Sequence, residues 1–483
     1  MHAQPLRRSL NHPASLWLAF ALVQCWIVYQ AYQHGPQIFG DVDLYRWWML
    51  GGLEGWLGWP VLDYSWVYPI GALVPMLLPA LVTSTVEHYQ VAWMALVLLC
   101  HIAAFACLIH PRLLSRKPSA SAPSFNQEPR RAGAWWWLAF LAALGPIWIG
   151  RLEGVLAAII LLALIAIPSR PGAAAILATA GAWIKIAPGA IVIALVCGAR
   201  GLAGRAKQSS TWRWAARHVV IPAGCVSLVL VAVALLGGAG GRALSVFGQQ
   251  SGRGLQVESV AATWFSLARL WNPDISFAFN PDIITWEVVY PAATAVAAVL
   301  DVVMLLAVLA VGYLTFRASR RLPLGSPQQL EVIYLSVTAI MAALIVFNKV
   351  GSPQFQAWLG SCIAAGMACA PAQGTLSRPT PGQPGLSQTT PGQTNRRWFL
   401  PAIITLLAAG LTYLLYPVFY GPFLSGQAPM IAVAAVRNVL LVVLLAWATW
   451  SLARIAMPRG GASRHQGLSQ PSLSSGPVCP DPM

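Results

Sequence analysis

"PGAAAILATAGAWIKIAPGAIVIALVCGA", residues 171–199, is apolar enough to cross a membrane, yet its flanks forbid a single crossing. Arg170 precedes it, and Arg200, Arg205, Lys207, Arg213 and Arg217 follow it. Lys and Arg gather in cytoplasmic loops, so both ends belong on one side. Two short helices broken at Lys185–Pro188 satisfy both ends. Proline lacks a backbone N–H and disrupts the turn before it. Broken helices are tolerated at membrane depth where they line a protein cavity. Lys185 is then expected at a break near the outer leaflet.

Composition sets the same class for the whole chain. Hydrophobic residues make up 57% of the 483, and charged residues only 9%. A soluble domain carries about 45–50% apolar and about 25% charged residues. Many apolar runs reach roughly 18 residues, enough to cross a hydrocarbon core of ~30 Å. The net charge of +16 is no sign of nucleic acid, because its cations sit in short loops between apolar runs. The eight Cys contain no CxxC, and seven of them lie in or at the ends of spans, as small buried residues would. The N-terminal apolar run lacks a small-residue cleavage site and reads as a retained span.

Spans are expected near 13–33, 91–110, 134–149, 153–168, 218–238, 287–315, 331–347, 354–370, 398–416 and 429–453, besides the broken pair. The fold class is therefore all-α, a polytopic membrane protein with about 12 crossings and both termini inside. The short, proline-rich segment 68–82 lies in the membrane plane instead. If it crossed, the basic loop 111–133 would be outside. Residues 1–370 form the transmembrane core and 398–456 a C-terminal helix pair. The Pro/Gly-rich linker 371–397 and the tail 457–483 have a composition that cannot bury a core, and both are expected to be disordered in the cytoplasm.

Loops 34–88 and 240–285 then fall outside, and they gather polar residues that an apolar chain has little use for. Asp41, Asp43, Glu54 and Asp63 are four of only 14 acidic residues. Asp41 and Asp43 read either as caps at the start of the helix "LYRWWMLGG" or as a general base at the membrane surface. A divalent cation on the Asp-x-Asp pair is a further reading; it is not favoured, and no cofactor is required. Arg151 and Glu153, in "GRLEG", pair with each other in the plainest reading. Lys349 in "FNKVGSPQFQAW" is a lysine at a helix end, of the kind that snorkels to the interface. Arg253, Gln256 and Glu258 share the second outer loop. Arg151, Lys185, Arg253 and Lys349 would thus join Asp41 at one surface and suit an anionic, lipid-linked substrate. Asp301 and Arg437 lie within spans, where charge is expensive, and a pair with each other is the plain reading. His101 reads as a hydrogen-bonded core residue.

These stretches resemble the polytopic C-type glycosyltransferases, most closely actinobacterial membrane proteins around glycosyltransferase family 87, the polyprenyl-phosphate-mannose-dependent mannosyltransferases. "GDVDLYRWW" resembles their first-loop Asp motif, with Asp41 at the catalytic position. "YSWVYPIGALVPMLLP" is similar to the segment that precedes their in-plane helix. "GRLEGVLAAIILLAL", "GAWIKIAPGAIV", "RGLQVESV" and "KVGSPQFQAWL" resemble further blocks, in the family's order over residues 13–370. Val67 stands where many relatives carry Glu, and Ile70 replaces a second Pro; the first change puts acceptor preference, or activity itself, in question.

The resemblance implies an inverting transferase in the plasma membrane. It would move a sugar, mannose by the family's habit, from a polyprenyl-phosphate donor to a cell-envelope glycolipid or glycan on the outer face. Asp41 would be the base, with Asp43 at most supporting it. Lys349, Arg253, Lys185 and Arg151 would hold the donor phosphate. Tyr45, Tyr68, Gln256, Glu258, Ser352 and Gln354 would contact substrate. The competing reading is a transporter or flippase of a lipid-linked sugar. Such proteins usually show internal repeats and place their polar sites at the midplane, which this sequence does not. A non-catalytic membrane scaffold is the third.

Overall fold

Gly35 ends the first long helix at φ +35°, and Pro36 starts the second at once. A side chain would be strained at such a φ, while proline suits a first helical position, where no N–H is needed. This corner separates a helix built to cross a membrane from one that carries the acidic motif. The computed structural model describes residues 12–114, 127–206, 210–281, 283–370 and 396–457. Residues 371–395 of the expected linker and 458–483 of the expected tail lie outside the described residues, as do Arg116, Lys117, Lys207 and Cys479.

The main helices are α1 (Pro13–His34), α2 (Pro36–Glu54), α3 (Leu73–Ala80), α4 (Val86–Ile109), α5 (Gln127–Leu144), α6 (Leu152–Ala166), α7 (Pro171–Ile184) and α8 (Gly189–Cys197). After them come α9 (Ile221–Leu236), α10 (Pro291–Arg321), α11 (Gln328–Val346), α12 (Gln356–Cys369), α13 (Phe399–Tyr413) and α14 (Ala428–Ala456). Seven helical segments are long and apolar enough to cross a membrane by length and composition, and α6 and α7 are shorter apolar helices. The protein is therefore a predominantly helical membrane protein.

Helices α6, α11 and α12 occupy the centre, with nearly every residue buried. Small residues make this possible, because they let backbones approach closely where lipid supplies no hydrophobic drive. A Cβ at Gly360 of α12 would lie 2.0 Å from Phe140 of α5, and one at Gly154 of α6 would lie 2.7 Å from Val97 of α4. Helix α9 is apolar on every side, yet only Ala234 is buried along it. Such a helix has its outer face left for lipid.

The break after Ile184 is present as read. Lys185 leaves α7 in an extended conformation, and α8 resumes at Gly189 after a turn closed by Gly189 N–H on Ile186 O at 2.9 Å. The segment 68–82 contains the short helix α3, preceded by a tight turn at Ile70–Ala72. Gly71 sits against α7, where a Cβ would lie 2.6 Å from the Trp183 carbonyl.

Loop 240–285 is more ordered than a solvated loop. It contains an antiparallel hairpin, β1 (Ser276–Asn280) and β2 (Thr285–Val289), with Ala278 opposite Glu287. Val288 N–H donates to Leu255 O and Val257 N–H to Trp286 O, so the hairpin fastens the 253–258 segment. The span expected from 287 accordingly begins at Pro291. Basic residues tie helices together at the opposite end of the bundle. Arg130 donates to Leu108 O, Arg200 to Arg320 O, and Arg397 pairs with Glu331 at 3.0 Å. The cysteines are only partly interior: Cys362 is buried, whereas Cys25 and Cys225 lie exposed on the bundle surface.

Candidate functional site

Two residues apart on a helix means roughly 200° apart around it, since each residue turns about 100°. Helix α2 begins at Pro36, so Asp41 and Asp43 are interior helical residues and not caps as the sequence allowed. Their carboxylates diverge. Asp43 accepts from Gln90 Nε2 on α4 at 2.7 Å. Asp41 pairs with Arg151 Nε at 2.9 Å. A cation shared by the two carboxylates loses its geometric basis, and no group of three or more His, Cys, Asp or Glu gathers among the described residues.

Arg151 is the centre of this arrangement. It stands at the head of α6 and is buried. Its guanidinium donates to the carbonyls of Ile38, Gly150 and Gln37 besides holding Asp41. Five N–H donors in a planar fork allow one side chain to do this. Tyr416 closes the far side, donating its hydroxyl to Gln37 O at 2.7 Å. Burial works against the charge of Arg151, but Asp41 and the neighbouring tyrosines turn the net shift of its pKa upward. The Asp41 side chain keeps 33% of its surface, so the carboxylate remains reachable beside a buried cation.

The Arg151–Glu153 pair expected from "GRLEG" is replaced by a cross-pairing. Successive positions of the first turn point to different neighbours, so Arg151 reaches α2 while Glu153 reaches the break. Lys185 Nζ lies 2.5 Å from Glu153 Oε1, and the Glu153 side chain is 1% exposed. The ammonium also stands 4.6 Å from the centre of the Phe355 ring and 5.9 Å from that of Tyr68. Lys185 thus has a buried carboxylate as its first partner. Lys185→Met alone is expected to cost about 3–5 kcal/mol, because it strands a buried charge. Lys185→Met with Glu153→Gln is expected to recover most of that loss. Thermal melting of the two purified variants checks it; equal destabilisation of both would mean the pair carries little.

Tyr45 and Tyr68 join the two pairs. Their rings meet edge-on at 6.5 Å, and Trp48 and Trp66 pack against Tyr68. Burial first, and then the Asp41 charge, raise the Tyr68 hydroxyl pKa, so it stays a neutral donor. Arg253 faces the same region from loop 240–285. Burial lowers its pKa, with Tyr68 and Glu287 acting in the opposite sense. Its Nε is buried without a hydrogen-bond partner. Arg253, like Arg46 of α2, forms no ion pair among the described residues and has a buried Nε with an unmade bond to offer.

The remaining sequence candidates separate from this cluster. Lys349 neither snorkels nor stands apart: its side chain is 4% exposed and pairs with Asp301 at 2.8 Å. That pairing displaces the expected Asp301–Arg437 contact. Arg437 instead donates to the Glu258 backbone oxygen at 2.5 Å and to Asn438 Oδ1. Gln256 is a structural tie, donating to Thr285 and accepting from Gly351 N–H. Glu258 accepts from Tyr420 O–H at 2.5 Å, and burial raises its pKa against that hydrogen bond. Glu258 and Ser352 line a cleft with Arg437; Gln354 does not. His101 is the core residue expected, bonded to Gly154 O at 2.9 Å.

Sequence reasoning missed Tyr416 and Tyr420, which lie in "YPVFYGP" between α13 and α14. Their rings meet at 4.8 Å, and they reach Gln37 and Glu258 respectively. The signal was an aromatic run at a helix end, too general to single out. No protein-family model matches this chain, and no curated protein or solved structure is significantly similar to it.

Proposed function

We propose that this protein is an integral-membrane glycosyltransferase. In this reading it moves a sugar, mannose by the resemblance, from a polyprenyl-phosphate donor to a glycolipid or glycan acceptor at the outer face of the plasma membrane. Twelve crossings with both termini in the cytoplasm belong to the same proposal. The observation that supports it most is the reachable Asp41 carboxylate, held by a buried Arg151 next to an Arg253 that has an unmade hydrogen bond.

Asp41 takes the proton of an acceptor hydroxyl. The hydroxyl oxygen attacks the anomeric carbon from the face opposite the phosphate. As that bond forms, the bond from carbon to phosphate oxygen breaks, inverting the centre, and both electrons leave with the lipid phosphate. Arg253 meets the charge that develops there. Arg151 aims Asp41, and Tyr68 supplies a neutral hydroxyl donor beside it. Lys185 and Lys349 are partnered by carboxylates, so their contribution to the phosphate is long-range charge and not a free ammonium.

The test is a radiolabelled polyprenyl-phosphate sugar incubated with purified protein. Transfer to an envelope glycolipid fraction, or slow hydrolysis in its absence, is expected. Label that stays on the lipid under both conditions removes the reaction. The orientation has its own test, motivated by the basic ties at one end and the acidic motif at the other. In a background freed of native cysteines, Glu54→Cys should react with an impermeant thiol reagent on intact cells, and Leu324→Cys should not. The reverse pattern would put Asp41 on the wrong face for a lipid-phosphate sugar outside.

A further inference from the structure

Two helices act as rulers for the depth of loop 240–285. The basic ends of α10 and α14 mark one membrane boundary. Arg317 stands over the ring of Tyr313 at 5.8 Å and Arg454 over that of Trp450 at 5.1 Å, and both rings are exposed. Basic and aromatic side chains gather at such interfaces. Asp301 precedes Arg317 by sixteen residues and Asn438 precedes Arg454 by sixteen. At 1.5 Å per residue each lies about 24 Å along its helix from that boundary. The hydrocarbon core is about 30 Å thick, so both levels fall inside it.

The loop is tied to both levels. Lys349 pairs with Asp301 at 2.8 Å, and the Lys349 carbonyl oxygen accepts from Gln256 N–H at 3.0 Å. Asn438 Nδ2 donates to Thr263 Oγ1 at 2.7 Å. Irregular backbone is tolerated at that depth only where protein buries it. Leu255, Gln256, Val257, Glu258 and Ser259 are all buried. After them comes the short helix Ala262–Ala268, whose i to i−4 bonding continues to Asn272. Its inner side, Ala262 and Phe265, shares one apolar cluster with Ala297 and Leu300 of α10 and Ala434 of α14. From Ser259 to Asn272 the only charged residue is Arg269. That guanidinium is turned to Leu424 O at 2.8 Å and to the Phe277 ring at 4.3 Å.

The outer side of this helix carries Trp264 and Trp271, 72% and 73% exposed. Seven positions apart, they lie on one face and about 10 Å apart along the axis. α10 meets lipid along Val299, Val302, Leu305 and Leu309, all exposed, and the tryptophans continue that surface upward. We infer that residues 255–272 are a re-entrant segment that contacts phospholipid, with Trp264 at the edge of the hydrocarbon and Trp271 among the headgroups. Indole suits this position, being an apolar body with one polar N–H. A second copy or a soluble partner would need this face in water, and the two rulers put it at lipid level. Arg253, two residues before the segment, is then set at the membrane surface and not above it. Only the choice of the outer leaflet rests on the orientation proposed above; the immersion does not.

The experiment uses full-length protein in phosphatidylcholine nanodiscs, in a background freed of native cysteines. Trp264→Cys and Trp271→Cys carry a nitroxide, with Leu305→Cys as the lipid reference and Leu324→Cys as the aqueous one. Collisions with oxygen and with a water-soluble nickel chelate report depth. The Trp264→Cys label is expected to behave like the one at Leu305→Cys, shielded from the chelate and open to oxygen. The Trp271→Cys label should fall between the two references. Chelate access at Trp264→Cys equal to that at Leu324→Cys overturns the inference. So does shielding from both reagents, which would mean that protein covers this face. If the variants do not fold, a phospholipid with an acyl-chain diazirine is applied to the unmodified protein. Adducts on α10 and on Trp264 support immersion, and adducts on α10 alone overturn it. Neither readout involves sugar transfer, so an inactive protein would remove the transferase and leave the re-entrant segment.

Discussion

Asp41→Asn is expected to lower sugar transfer by about 10²–10⁴-fold, the usual contribution of a positioned general base. The amide keeps the size of the carboxylate and can still accept from Arg151 Nε, which lies 2.9 Å from Asp41 Oδ2. The backbone carbonyls of Gln37, Ile38 and Gly150 go on holding the guanidinium. What disappears is the proton acceptor. Asp43→Asn is the matched control, because its partner is Gln90 and an amide oxygen accepts from Gln90 equally well. Transfer should be measured at equal amounts of folded protein. Loss in Asp43→Asn with activity kept in Asp41→Asn would reverse the assignment. Full activity in both would leave the carboxylates with a purely structural task.

Arg151→Met should be strongly destabilising, by about 3–5 kcal/mol, as when one partner of a buried ion pair is removed. Asp41 is a third exposed, so water recovers part of its charge and the lower end of that range applies. The rest comes from carbonyls of α2 that lose their donors. Arg151→Lys should recover the charge and little of the stability, since a single ammonium cannot reproduce the planar fork. Melting temperatures of the purified variants test this, together with the Asp41→Asn/Arg151→Met double variant. That variant should lose less than the sum of the two single changes, because each removes the same contact. An Arg151→Met protein that melts with the wild type would show that α2 is held by packing alone.

The candidate site draws on widely separated stretches, and its separate members differ in how they could be read. Lys185 was placed by charge counting, because a membrane admits basic flanks on one side only and proline supplies the break. Arg253 and Asp41 were placed in outer loops by the same bookkeeping. Their partners were not. Whether Arg151 binds Glu153 or Asp41 depends on how far α6 is rotated relative to α2. That rotation is set by the contact of Gly150 with Ile38, where a Cβ would lie 2.2 Å from the Ile38 oxygen. Likewise Asp301 meets Lys349 and not Arg437, although α10 packs against both α11 and α14, because the Arg437 guanidinium is turned to Glu258 O and Asn438.

The sequence by itself determined the class of the protein and the break at Lys185, since each follows from local rules: apolar length, loop charge and proline geometry. It also collected the polar residues at one end. Only the tertiary structure decided which charges neutralise each other, that a hairpin fastens the 253–258 segment, and that Tyr416 closes the site while Tyr420 and Arg437 hold Glu258 apart from it. The physical reason is range. Hydropathy and loop charge act within one helix and its flanks, whereas an ion pair needs two side chains within about 4 Å. Those two come here from positions as far apart as Asp41 and Arg151, and only the packing of helix on helix brings them together.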